Sequence, residues 1–164
     1  AWKASHETYN RPGIMLYGAD PLERANQASE KLKPAMTLAA PIIDIRNVNT
    51  GESVGYDAKW IAERPSRIAT VAIGYGDGYP RHAPSGTPIQ INDRLASLVG
   101  NVSMDMIGVD ITDLVEQGSA VNIGDTAILW GSGLAVERVA SSAATISYDL
   151  LTGVSSRVER IYQE

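Results

Sequence analysis

Hydrophobic positions in this chain gather into short runs, and beyond residue 34 those runs have strand length: MTLAAPIIDIRNV, ESVGY, RIATVAIG, PIQI, RLASLVGNV, MDMIGVDI and TAILW. Between them lie TG, ND, QG, IGD and WGSG, residues that favour turns. Many short strands at this spacing predict a mainly β domain, barrel-like or sandwich-like. In RLASLVGNV, Leu95, Leu98 and Val99 can face a core, and Asn92 with Asp93 predicts a tight hairpin turn after PIQI. Pro41 predicts an edge or a bend, because proline cannot donate to a ladder. One helix is predicted over 136–144, where Val136, Val139, Ala140 and Ala143 recur at helical spacing, and it should cover one open end. The alternation Arg157, Val158, Glu159, Arg160, Ile161, Tyr162 predicts an amphipathic closing strand.

The first third reads differently. GIMLYG, at 13–18, looks like a buried strand isolated between loops, and the polar stretch LERANQASEKLK before Pro34 favours a linker over a short exposed helix. The chain begins at Ala1 without a methionine, so this portion reads as the end of something larger.

Composition narrows the chemistry. Of 164 residues 44% are apolar, enough for a real core, and the net charge of −5 without Lys or Arg clusters disfavours a nucleic-acid surface. Zero cysteines exclude disulfides and thiolate chemistry, and two histidines far apart, His6 and His82, make a metal centre improbable. No apolar stretch approaches the ~20 residues of a membrane span, and no basic-then-apolar leader opens the chain, so the expected location is cytoplasmic and away from membranes.

The densest candidate site is IGYGDGYPR at 73–81, where three glycines and two tyrosines follow the strand RIATVAIG. Such density marks a difficult turn or a close approach. It lacks the lysine of a phosphate loop and the spaced carboxylates of a calcium loop. WGSG before the predicted helix could offer amides to an anion, but glycine turns commonly start helices. Tyr56, in ESVGYDAKW, could move a proton; a phenol titrates near pH 10 in water, so a base role requires nearby positive charge or an oriented hydrogen-bond chain. Met104, in NVSMDM, reads on spacing alone as core filling. Arg11, ahead of Pro12 and Gly13, could fix an anion or a heterocycle, or be solvated.

Together NRPGIMLYGADP, LKPAMTL, ESVGYDAKW, VAIGYGDGYPR, SLVGNVSMD and ISYDLLTGVSSRVERIY, in this order, resemble the alanine racemase family over nearly the whole chain. The resemblance implies residues 1–32 as the terminal strand and linker of an otherwise missing (β/α)8 barrel and 33–164 as the C-terminal β domain. It implies a bacterial, cytoplasmic, pyridoxal-phosphate-dependent isomerase that interconverts L-alanine and D-alanine for peptidoglycan synthesis, working as a head-to-tail homodimer.

By the same resemblance Tyr56 matches the catalytic tyrosine, one of two bases exchanging a proton with the substrate Cα, and would act on the partner's barrel. Arg11 matches a residue contacting the cofactor's pyridine nitrogen, Gly13 and Ile14 match positions whose amides hold its phosphate, and Tyr148 matches a phosphate-binding tyrosine. Met104 matches a position whose backbone lines the substrate carboxylate pocket, and Tyr75 one at the substrate entrance, where the neighbouring glycines would let the rim approach a partner barrel. Two positions depart from the family pattern: Asp57 where glycine is frequent, and Asn101 where arginine is frequent. No segment matches the strand bearing the cofactor lysine or the barrel histidine that orients the tyrosine; Lys3, Lys31, Lys33 and Lys59 do not correspond to that lysine. The portion alone is expected to be inactive, with a non-catalytic association domain and a broader-specificity amino-acid racemase as alternatives.

Overall fold

The computed structural model describes residues 8–22 and 31–162. Six of its strands form the domain: β1 (Leu38–Val48), β4 (Ser66–Val71), β5 (Pro88–Ile91), β6 (Arg94–Val99), β7 (Ile107–Asp110) and β8 (Thr126–Trp130). They pair antiparallel in the order β1-β4-β7-β6-β5-β8 and close on themselves, which makes the domain a barrel rather than a sandwich. Two short strands, β2 (Ser53–Val54) and β3 (Trp60–Ile61), form a separate hairpin.

Alternation decides what fills the barrel. Ile42, Ala69, Val71, Leu98, Ile107, Val109 and Leu129 lie in one buried cluster, while Ile68 and Val99, their strand neighbours, belong to a second one. The second cluster, Val48, Val54, Ala62, Ile68 and Val99 with Trp60 packed against it, attaches the β2–β3 hairpin to the barrel's outer wall. The Asn92–Asp93 turn is as expected: Ile91 pairs with Arg94, and both turn residues have positive φ, 49° and 60°, the mirror-image geometry that matches strand twist.

β1 closes the barrel. Its first residues pair with β8, up to Pro41 opposite Thr126, and from Ile42 onward it pairs with β4. Pro41 marks the bend, as the sequence suggests, but not an edge, since the strand has a neighbour on each side. The Pro41 carbonyl accepts the Ala72 N–H at 3.0 Å, and the Ile42 N–H leaves the ladder for the Asp125 carbonyl at 2.8 Å.

Three helices decorate the barrel: α1 (Thr112–Glu116), α2 (Val136–Ser142) and α3 (Ser147–Gly153). α2 is the expected helix and buries Val136, Val139 and Ala140. α1 and α3 are additions to the sequence reading. Two expected strands are absent among the described residues. The segment 13–18 is a 3-10 helix, Gly13–Tyr17, with only Ile14 buried; Gly13 and Gly18 at its ends both have positive φ, and Gly18 N–H closes onto Met15. Residues 157–162 form no strand, because the β8–β1 ladder already closes the barrel and leaves no edge to join. Most of the expected linker, residues 23–30, lies outside the described residues.

Among the described residues no helix is long and apolar enough to cross a membrane, and no group of three or more acidic or histidine side chains could hold a metal ion.

Leu98 is fully buried and Leu95, on the same strand, is 43% exposed. Leu98→Ala is expected to lower stability by about 2–5 kcal/mol, and Leu95→Ala to change it by roughly 0.5 kcal/mol or less. Guanidinium unfolding followed by tryptophan fluorescence measures both.

Candidate functional site

Antiparallel closure sends alternate connections to opposite ends of the barrel. The segments 72–87, 100–106 and everything after β8 leave from one end, which also receives the chain entering β1. The Asn92–Asp93 turn and α1 sit at the other. The β2–β3 hairpin starts from that far end, runs along the outer wall, and brings its tip, residues 55–59, onto Gly100 and Asn101 at the near end. Tyr56 occupies this tip and is 70% exposed.

Gly100 makes the docking possible. Its φ is +75°, and a Cβ there would lie 2.6 Å from the Val54 carbonyl oxygen, so the hairpin backbone rests where any other residue would carry a side chain. Just beyond, the Asn101 side-chain Nδ2 donates to the Tyr56 carbonyl at 3.1 Å and to Asp57 Oδ2 at 3.3 Å. Asp57 and Ala58 both hold positive φ, 64° and 48°, an uncommon pair for non-glycine residues.

The loop 100–106 also holds the glycine-rich turn. A 3-10 helix, Tyr75–Asp77, follows Gly74. Tyr75 N–H donates to the Ser103 carbonyl at 3.0 Å and Gly76 N–H to the Met104 carbonyl at 2.9 Å. A Cβ on Gly74 would lie 2.2 Å from the Ser103 oxygen; here the glycine answers a steric need, since its φ of −152° is ordinary extended backbone. The space beside Gly74 is thus filled by this chain's own loop.

Asp77 Oδ2 accepts the Gly74 N–H at 2.9 Å, and Arg157 bridges Asp77, at 2.8 Å, to Asp105. The hydrogen bond from Arg157 to Asp105, with the charges of both carboxylates, raises the guanidinium's already high pKa further. Arg157 therefore fastens the turn carrying Tyr75 to the loop carrying Met104, in place of the strand expected of it.

Tyr56, Met104 and Tyr75 accordingly share one exposed rim, organised by one loop. Met104 is 52% exposed, so the core-filling reading of its side chain does not hold. Its carbonyl is bound by Gly76, while its N–H donates to none of the described residues. Below the rim, Tyr79 stacks on Trp130 with ring centroids 6.1 Å apart, and burial pushes the Tyr79 phenol far above its ordinary pKa, which leaves it a packing residue.

The remaining predicted residues form a second group. Gly13 and Ile14 start the Gly13–Tyr17 helix, and their N–H groups donate to no carbonyl among the described residues. Tyr148, in the first turn of α3, points its hydroxyl to within 3.9 Å of where a Gly13 Cβ would stand. Arg11 is exposed two residues earlier and makes no ion pair among the described residues. α3 links the two groups: its first turn carries Tyr148, and just past its end Ser155 N–H donates to the Asp77 carbonyl at 2.9 Å. WGSG is no anion site, because Ser132 N–H is taken by the Thr37 hydroxyl at 3.0 Å.

Sequence reading missed the connecting residues, Asn101 as an anchor and Arg157 as a bridge. Asn101 and Asp57 had stood out only as departures, and their contact spans 44 positions. Spacing carries no signal for such a pair.

The alanine racemase C-terminal domain family matches residues 35–162. The biosynthetic alanine racemase of Pseudomonas aeruginosa is 54% identical over 159 residues, 97% of this chain and 43% of that protein. The alanine racemase of Chromohalobacter salexigens is 53% identical over 163 residues, 99% of this chain and 44% of that protein. The chain thus spans less than half the length of these relatives. In structure, the crystallised biosynthetic alanine racemase from Pseudomonas aeruginosa superposes with a TM-score of 0.87 at 53% identity, over 93% of this chain and 41% of that one. The alanine racemase from Bartonella henselae with covalently bound pyridoxal phosphate gives 0.82 at 35% identity, over 92% and 40%.

Gly100→Ala is expected to lift the hairpin off the wall. Hydrogen exchange of residues 53–61 should rise by about tenfold or more, each tenfold corresponding to about 1.4 kcal/mol of lost local protection, while Ser66–Val71 stays protected.

Proposed function

This chain belongs to the alanine racemase family, and on that premise we propose that it is the C-terminal part of a pyridoxal-phosphate-dependent enzyme interconverting L-alanine and D-alanine. The observation that carries the reading is the shared rim: a solvent-facing tyrosine, an entrance tyrosine and a backbone N–H, at Met104, that donates to none of the described residues are held together by one loop.

The chemistry of each part suits the reaction. Exchanging the Cα proton of an amino acid requires proton carriers on opposite faces, and the solvent-facing Tyr56 side chain is placed to meet a substrate on one of them. The second base is a lysine outside this chain. A substrate carboxylate needs donors, which fits Met104: its oxygen is engaged and its N–H is not. Tyr75, whose N–H donates to the Ser103 carbonyl, stands half-exposed at the rim, where it would narrow the approach to a small amino acid.

The second group fits the cofactor. Gly13 leaves an open cradle beside the Tyr148 hydroxyl, and with the N–H groups of Gly13 and Ile14, which donate to no carbonyl among the described residues, this donor set suits a phosphate. Arg11 would face the pyridine nitrogen, where a guanidinium keeps that nitrogen unprotonated and discourages side reactions such as transamination. Pyridoxal phosphate, when bound, supplies the electron sink that stabilises a carbanion at Cα.

Tyr56 rides on a hairpin outside the barrel, which suits action on a partner subunit's barrel in a head-to-tail homodimer. A bacterial, cytoplasmic enzyme serving peptidoglycan synthesis is consistent with the relatives, which are bacterial.

The chain alone is expected neither to racemise alanine nor to retain pyridoxal phosphate stoichiometrically; turnover by the chain alone would overturn the incomplete-site reading. Mixed with a separately produced barrel half, it should restore racemisation, and Tyr56→Phe should reduce that by on the order of 10²–10⁴-fold. Full activity with Tyr56→Phe would remove the tyrosine from the mechanism and favour a domain used only for association. Turnover of larger amino acids at comparable rates would favour a broader-specificity racemase.

A further inference from the structure

Tyr56 is the most exposed of the rim residues, and little of its own side chain holds it in place. What fixes it is backbone. The 55–59 tip crosses from β2 to β3 with positive φ at Gly55, Asp57 and Ala58 and with Lys59 in the right-handed helical region, so its path departs from extended geometry. Within this tip the Tyr56 carbonyl accepts one hydrogen bond from outside the hairpin, from Asn101 Nδ2.

We propose that Asn101 is a positioning residue for Tyr56, with Asp57 orienting the Asn101 amide. The orientation follows from chemistry. Both partners, a backbone carbonyl and a carboxylate, are acceptors, so only the Nδ2 end can serve them, and its two protons are both used. Asn101 is well placed for this role because its own backbone is fixed: Gly100 N–H donates to Ser85 Oγ at 3.0 Å, and Ser103 and Met104 are held by the amides of Tyr75 and Gly76. Tyr56 is thereby referenced to the same loop as Met104, three residues on from Asn101. A proton carrier and a carboxylate-binding amide must keep a fixed separation if both are to meet one small substrate, and Asn101 provides the link.

The coupling also accounts for the two departures noted in the sequence. Asn101 Nδ2 serves both acceptors, the Tyr56 carbonyl and Asp57 Oδ2, so the two departures meet in one contact.

The inference rests on the racemase reading, so its test has two readouts on the full-length enzyme. In Asn101→Ala, kcat for alanine should fall by about 10- to 100-fold while KM stays within about threefold, and hydrogen exchange of 55–59 should quicken with the barrel strands unchanged. The exchanged pair Asp57→Asn with Asn101→Asp keeps a donor and an acceptor between the side chains but leaves the Tyr56 carbonyl without one. It should remain impaired in both readouts, and recovery of both would overturn the carbonyl anchor. Asn101→Gln, which keeps the donor on a longer stem, should recover part of the lost kcat. Wild-type kcat and wild-type exchange in Asn101→Ala would overturn the proposal outright. If the wild-type enzyme does not racemise alanine, the racemase reading fails by itself, and the exchange of 55–59 still decides whether Asn101 holds the tip.

Discussion

Closure of the barrel along β1 is the constraint on which the other features depend. One strand of eleven residues pairs with β8 in its first part and with β4 in the rest, and the exchange happens at Pro41, the one residue without an N–H to lose. Closure removes free edges and fixes the number of strands at six, which in turn sorts the connections into two ends. The glycine-rich turn, the 100–106 loop, α3 and the 3-10 helix before β1 are neighbours because the closed ladder brings them to the same mouth.

At that mouth the contacts are mostly backbone to backbone. Amides of Tyr75 and Gly76 meet carbonyls of Ser103 and Met104, the hairpin lies against Gly100, and Arg157 ties the two acidic residues, Asp77 and Asp105, that flank the arrangement. Such contacts fix geometry with little dependence on side-chain identity, apart from glycine where space is needed. The side chains that remain, the phenols of Tyr56 and Tyr75 above all, are free to face outward. α3 then relates this rim to the Gly13–Tyr148 corner across about 10 Å of helix, seven residues at roughly 1.5 Å each.

The strands were legible because their physics is local: alternation, β-branched residues and turn residues all lie within a few positions of one another. All seven apolar runs after residue 34 contain a strand, and the Asn92–Asp93 turn is where its residues suggest. Reading failed where a local pattern lacked its tertiary partner. GIMLYG has a strand's apolarity but is flanked by two glycines at positive φ, and the alternation at 157–162 has no edge to join. α1 and α3, at five and seven residues, are too short for periodicity to separate them from turns. The candidate site was proposed from a family pattern alone. Its internal logic, Asn101 reaching Tyr56 across 45 positions and Arg157 reaching Asp105 across 52, is written in contacts that sequence spacing does not encode.

The hairpin that carries Tyr56 packs its apolar side chains into the small outer cluster of Val48, Val54, Ala62, Ile68 and Val99, apart from the barrel interior, with Asn101 holding its tip. Its cohesion is therefore separate from, and smaller than, that of the domain. On warming, such a hairpin would be expected to open before the barrel does. A variant whose hairpin resists heat would be sought in the packing of Val54 and Ala62 against Val48, Ile68 and Val99 rather than in the barrel interior.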